Sequence, residues 1–193
     1  MKQNLRIALL ITVVTTVLFG LLYPLAVTGL GQLLFPSQAN GGLIVKNGQI
    51  IGSRLIGQPF SSDSYFHGRP SAAGNGYDPV SAGGGASNLG PTNRQLMDRV
   101  KGDVEKLHAE NPGSPVPVDL VTTSGSGLDP HIFPAAAEFQ IPRITRARHV
   151  SGAELRSLVA KHTVGRQLGV LGEPRVNVLE LNLDLDAQHP LSK

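Results

Sequence analysis

Cysteine is absent from the 193 residues. That excludes disulfides, thiolate chemistry and cysteine-based zinc sites, and it suits an exported bacterial domain without specifying one. Charge is scarce too: Asp, Glu, Lys and Arg make up 16% of the chain, against about a quarter in an ordinary globular protein. The scarcity is uneven, because after Lys2 and Arg6 no charged residue occurs until Lys46. Setting those two aside from the 17 basic residues leaves 15 against 14 acidic ones, so the remainder is nearly neutral. No dense Lys/Arg face exists, which argues against a nucleic-acid partner. The histidines at 67, 108, 131, 149, 162 and 189 form no HExxH-type pair, so no dedicated metal site is expected.

What the N-terminus has instead is an uncharged run, Ile7 to Val27. As an α-helix it spans about 30 Å, the thickness of a bilayer's hydrocarbon core. The softer stretch Thr28 to Phe35 extends it. Residues 1–35 are therefore expected to form a transmembrane anchor, its span at 7–27. Lys2 and Arg6 keep the N-terminus cytoplasmic by the positive-inside rule. Residues 36–193 then form an extracytoplasmic domain of a single-pass protein in the bacterial inner membrane. The competing reading is a cleaved signal peptide with a weak site at Ser37-Gln38-Ala39. The apolar run is too long for a signal core, and that site lies too far downstream. Along the helix Thr12, Thr16, Gly20, Pro24 and Thr28 recur every fourth residue. Small side chains let helix backbones approach, so this ridge, at Thr12, Thr16, Gly20 and Pro24 above all, is expected to meet a partner helix.

Beyond the anchor, the 23 glycines and 14 prolines predict many turns. Leu43 to Ile51 reads as two short strands around an Asn47-Gly48 hairpin turn. From Gly52 to Gly90 the chain is crowded with Gly, Ser, Asn and Pro, yet Phe60, Tyr65, Phe66 and Tyr77 point to an ordered, packed loop. Thr92 is expected to cap a helix to about Glu110, with Leu96, Val100, Val104 and Leu107 on its apolar face. Ser151-Gly152-Ala153-Glu154 is a capping box, and Leu155, Leu158 and Val159 point inward from the helix it opens. The alternation of Leu179, Leu181, Leu183 and Leu185 with polar residues predicts a half-buried strand over Val176 to Asp186. Strands at both ends with helices between predict an α+β fold around one sheet.

Ser124-Gly125-Ser126-Gly127-Leu128-Asp129-Pro130-His131 is the stretch that most invites chemistry. A phosphate-binding loop requires Lys-Ser/Thr where Leu128-Asp129 stands. A hydrolase with Ser126 as nucleophile, helped by Asp129 and His131, requires Gly at the position of Ser124. The structural reading makes Asp129 a helix N-cap with Pro130 at N1, fed by a glycine-permitted turn. Arg143, Arg146, Arg148 and His149 read as a solvated helix face, with lipid head groups or an acidic partner as the alternative.

Several segments, taken in order, carry a resemblance. They are Tyr23-Pro24-Leu25 with Thr28-Gly29, Gly57-Gln58, Tyr65-Phe66-His67-Gly68-Arg69-Pro70-Ser71, Ser87-Asn88-Leu89-Gly90-Pro91, Ser124 to His131, and Val176 to Asn182. Together they closely resemble the C subunits of the bacterial Kdp potassium-transporting ATPase over nearly the whole chain. The resemblance implies a subunit without catalytic residues of its own, needed for assembly and activity of an ATP-driven potassium uptake complex. Its partners would be a channel-like A subunit, an ATP-hydrolysing P-type B subunit, a small F subunit and membrane lipid. ATP and potassium would be handled by the complex, with no cofactor bound directly by this chain. The family is also described as a catalytic chaperone raising the ATP affinity of the B subunit. Partner-contact or structural roles are expected of Tyr65, Phe66, Arg69, Ser87, Asn88, Ser124, Gly125, Ser126, Gly127, Asp129 and His131. The alternative is an anchored periplasmic enzyme or binding protein using the Ser124–His131 loop.

Overall fold

The uncharged N-terminal run folds as one unbroken helix, Lys2–Leu34, the one helix among the described residues long and apolar enough to cross a membrane. It begins as α1 (Lys2–Thr15), widens into a π-helical segment (Thr16–Leu22) and returns to α2 (Tyr23–Leu34). Pro24 accounts for the widening. Its ring would clash with the carbonyl four residues back, and it has no amide to donate. In the π register Tyr23 N donates to Leu18 O, five residues back, and the ladder shifts past the proline without breaking. Pro36 ends the helix, since the residue before a proline is pushed out of the helical region; Phe35 sits at φ −136°. A short turn, α3 (Pro36–Ala39), follows.

This computed structural model describes residues 1–78, 80 and 86–191, and the chain divides into two units, Met1–Leu43 and Ile44–Lys193. The fold is α+β. β1 (Leu43–Lys46) and β2 (Gln49–Ser53) form a two-stranded sheet. Their turn has Asn47 at φ 52° and Gly48 at φ 77°, the paired left-handed geometry that matches strand twist. Part of the expected Gly-rich loop, residues 79 and 81–85, lies outside the described residues. α4 (Arg94–Glu110) presents Leu96, Val100, Val104 and Leu107 as its half-buried face. Its cap is Asn93, whose side chain accepts from Gln95 N, not the expected Thr92.

The core is assembled from α5 (Pro134–Arg148), α6 (Gly152–His162) and α7 (Val178–Gln188) around a three-stranded antiparallel sheet. That sheet has the order β3 (His131–Ile132), β5 (Arg175–Asn177), β4 (Thr163–Val164). Val176 is its centre, paired with Ile132 on one side and Thr163 on the other. The capping box at Ser151 and Glu154 is formed in both directions, and Leu155, Leu158 and Val159 are buried behind it.

The strand expected over Val176 to Asp186 is instead three residues of β5 followed by helix α7. Asn177 ends the strand and caps the helix, accepting from Glu180 N at 3.1 Å. The buried residues Val178, Leu181, Asn182 and Leu185 follow the helical spacing i, i+3, i+4, i+7. Alternating leucines satisfied both periods, and leucine is a helix former without the β-branching that favours strands.

Candidate functional site

Tyr65-Phe66-His67-Gly68-Arg69 is held from both sides by the core helices. Phe66 is fully buried, and its amide and carbonyl are both matched by Asn182 of α7, at 2.9 and 2.8 Å. His67 is gripped in the same way by Gln140 of α5, which accepts from its amide at 2.8 Å and donates to its carbonyl at 3.1 Å. Each amide side chain replaces the strand neighbour that this extended segment lacks. Arg143 donates to Glu110, to the carbonyls of Asp63 and Tyr65, and to Gln140 Oε1. Arg148 donates to Ser64 O, His189 O and Asp186, and its guanidinium lies 4.7 Å from the centre of the Tyr65 ring. The Tyr65 hydroxyl completes the ring of contacts on Asp186 at 3.0 Å. Burial, followed by that carboxylate, pushes the Tyr65 phenol above its ordinary value. Burial beside Arg143 lowers the His67 imidazole.

This arrangement corrects the solvated-face reading of α5. Arg143 and Arg148 turn inward, their side chains only 7% and 1% exposed, while Arg146 and His149 stay at the surface. A guanidinium is tolerated inside because several carbonyls and a carboxylate surround it.

The second half of the motif locks onto the Ser124–His131 loop. Arg69 bonds Thr122 and Thr123 and pairs with Asp129 at 3.3 Å. Ser71 Oγ donates to Gly127 O at 2.6 Å and accepts from Tyr77 N at 2.8 Å. The Tyr77 hydroxyl donates to Arg69 O. Burial and the Asp129 charge push that phenol up to about 12, so it remains a donor at physiological pH. Gly57 lies between these loops, its amide on Leu128 O. A Cβ there would come within 2.6 Å of the Tyr77 ring and 2.7 Å of Asp129 O.

Asp129 is not the expected helix cap. α5 begins at Pro134 behind Phe133, and residues 131–132 are strand β3. The Asp129 carboxylate instead accepts from the His131 backbone at 3.0 Å, meets the His131 ring at 3.3 Å and faces Arg69. Burial raises its pKa, but the bonds from His131 and the Arg69 charge outweigh that and hold it below the usual carboxylate range.

Ser126 takes part in local turn bonds. Its hydroxyl accepts from Leu128 N at 3.1 Å and lies 3.4 Å from the Ser124 hydroxyl. The His131 ring is turned to Asp129, so no Ser–His bond of the kind a serine nucleophile needs exists among the described residues. Gly125 and Ser126 are exposed, Gly127 is buried, and Ser87 and Asn88 are exposed. Thr12, Thr16, Gly20 and Pro24 all lie on the outside of the N-terminal helix. Among the described residues no group of three or more His, Asp or Glu could hold a metal ion.

Two clefts border this block. One of about 320 Å³ is lined by His67, Arg69 and Tyr77 on one side and Asp103, Lys106 and Glu110 of α4 on the other. The other, about 260 Å³, lies between Arg69, Asp129, His131 and Arg175. Of the anchoring residues, Gln140 and Asn182 were given no role from sequence, and Arg143 and Arg148 were read as a solvated face. The available signal was a polar residue standing inside an apolar helical stripe, as Asn182 does between Leu181 and Leu185 and Gln140 does between Ala137 and Ile144.

A family model described as "KdpC: K+-transporting ATPase, c chain" matches residues 5–187. The potassium-transporting ATPase KdpC subunit of Koribacter versatilis is 62% identical over 191 residues, covering 99% of this chain and 98% of that one. That of Methylobacterium nodulans is 58% identical over 197 residues, covering 96% and 98%. That of Acidobacterium capsulatum is 59% identical over 188 residues, covering 97% and 100%.

Proposed function

The chain belongs to the KdpC family, the c chain of K+-transporting ATPases, and on that premise we propose that it is a non-catalytic accessory subunit which assembles and stabilises an ATP-driven potassium uptake complex. The observation that carries this reading is how the family's motif residues are used. Phe66, Arg69, Ser71, Asp129 and His131 bond one another's loops and the core helices, as expected of a rigid docking body.

In this reading the apolar helix is a membrane anchor whose N-terminus, with Lys2 and Arg6, stays cytoplasmic. The domain then lies outside the cytoplasm, where it caps the channel-like A subunit. The B and F subunits complete the assembly. Cytoplasmic ATP would be out of the domain's reach. Any effect on the ATP affinity of the B subunit is then allosteric, carried by the anchor helix or by the neighbouring subunits.

The test is co-purification of the full-length, C-terminally tagged chain from mildly solubilised membranes. A P-type ATPase and a channel-like subunit recovered in fixed ratio are the expected result. A chain that elutes intact and alone would overturn the reading. Ser126→Ala separates the alternative: an anchored enzyme loses its activity, whereas an accessory subunit keeps full complex recovery.

A further inference from the structure

Between β4 and β5 the chain forms a tongue, residues 165–174, that no sequence motif singled out. It is closed by reciprocal backbone bonds between Gln167 and Leu171, at 2.8 and 2.9 Å. At its base Arg166 clamps both carboxylate oxygens of Glu173, at 2.8 and 2.7 Å. The tip is apolar and faces outward: Leu168 is 90% exposed, Val170 73% and Leu171 55%. Leu168 is also held at φ 53°, a left-handed conformation that disfavours a leucine relative to glycine. The fold thus braces a strained turn whose bulky side chains are largely exposed.

Arg175 stands at the base of the tongue, where it lines the cleft of about 260 Å³ with Gly172 and Glu173. Of the arginines in Ile44–Lys193, it alone has a side chain with neither an ion pair nor a hydrogen bond among the described residues. The others all do, from Arg54 on Glu180 to Arg166 on Glu173. An apolar tip on a tongue whose base carries a guanidinium with no partner among the described residues is the surface a protein partner completes with an apolar pocket and a carboxylate.

We propose that this tongue is a plug by which the domain docks into another subunit of the potassium-transporting complex, Leu168 and Val170 entering an apolar pocket and Arg175 pairing with a carboxylate on its rim. The inference rests on the accessory-subunit reading. Two features favour a protein over a bilayer surface. The tongue contains no aromatic residue, the kind of side chain enriched at membrane–water interfaces. Its turn is also pre-organised by two kinds of bond, which lowers the ordering cost of docking into a shaped pocket.

The absence of native cysteine makes the test clean. In the full-length chain, Leu168→Cys provides a unique thiol for a benzophenone-maleimide, which inserts into C–H bonds of protein or lipid on illumination. Illumination of the purified complex is expected to join the chain to another subunit. An adduct with lipid only, or none in a complex that is otherwise fully recovered, overturns the proposal. In parallel, Leu168→Gly relieves the strained turn while deleting the plug. The variant chain should melt no lower than wild type, yet its recovery of partners should fall about tenfold, and Arg175→Glu should reduce recovery in the same direction. Undiminished recovery by Leu168→Gly combined with Val170→Ser overturns the plug and leaves the accessory reading intact. A wild-type chain that recovers no partner overturns both.

Discussion

The two units of this chain solve the problem of burial in opposite ways. In Met1–Leu43 the large apolar side chains lie on the outside: Phe19, Leu25 and Leu33 are among the most exposed in the molecule. In Ile44–Lys193 Asp119, Gln140, Arg143, Asn177 and Asn182 lie in the interior beside the apolar core. A single helix has no interior, so its apolar surface is covered only by lipid or by neighbouring helices, and its backbone must satisfy itself. The domain has the reverse difficulty. Its long loops carry backbone groups inward that no strand matches, and buried amides and guanidiniums take the place of the missing ladder.

The contrast predicts that the domain's stability resides in polar side chains and is indifferent to the anchor. Thermal and denaturant melts of the full chain in detergent, followed by near-ultraviolet circular dichroism, test it. Arg143→Ala should have the largest effect, about 3–5 kcal/mol, because it leaves the part-buried Glu110 carboxylate, the buried Gln140 oxygen and two loop carbonyls without their donor. Asn182→Leu keeps the volume but strands the amide and carbonyl of Phe66, for an expected loss of about 2–4 kcal/mol. Were either variant to melt like wild type, the segment 63–69 would be held by apolar packing alone. Gly57→Ala should cost about 1–3 kcal/mol, since the Tyr77 ring and the Asp129 carbonyl must both move.

Hydrogen bonds from Lys161, Gln188 and His162 hold the Asp184 carboxyl well below the usual carboxylate range. A depressed carboxylate contributes stability above its unfolded pKa near 3.8 and loses it as pH falls through the folded-state value. Asp184→Asn should therefore lower the melting temperature slightly at pH 7, with the difference from wild type closing in acid. A gap that stays constant as the pH is taken well below 3.8, through the range in which this carboxyl titrates, would show that the ion pairs contribute nothing. Pro24→Ala should leave the domain's melting unchanged while converting the π-helical segment to α-helix, visible as altered amide exchange near Leu18 and Tyr23. A shifted domain melt would show that the two units are not energetically independent.

Local patterns were legible where neighbouring residues set the outcome. The Asn47-Gly48 turn, the capping box at Ser151 and the apolar face of α4 depend on a few adjacent residues, and each is found as its spacing implies. Where two periods fitted equally, the pattern misled. The leucines of 179–185 alternate like a strand, and only Asn177, free to end one element and cap the next, resolved them as a helix. Asp129 misled differently: Asp-Pro is a good helix start, but the chain stays extended through Ile132 because His131 and Ile132 pair with β5. The arginines of α5 carried little local sign of direction, since all their acceptors but Gln140, among them Asp63, Ser64, Tyr65 and Glu110, lie 33 or more residues away.

The sequence by itself determined that the chain has one apolar helix of membrane length, an α+β domain beyond it, and membership of the KdpC family. These follow from the absence of charge over a long run, from short-range periodicity and from motifs kept in order. Tertiary structure alone decided what those motifs do. Whether Arg143 is a surface charge or a buried clasp, and whether Asp129 caps a helix or holds Arg69, depends on which distant carbonyls and charges the fold brings within about 3 Å. Hydrogen bonds act only at that range, and sequence spacing does not encode proximity between residues so far apart along the chain.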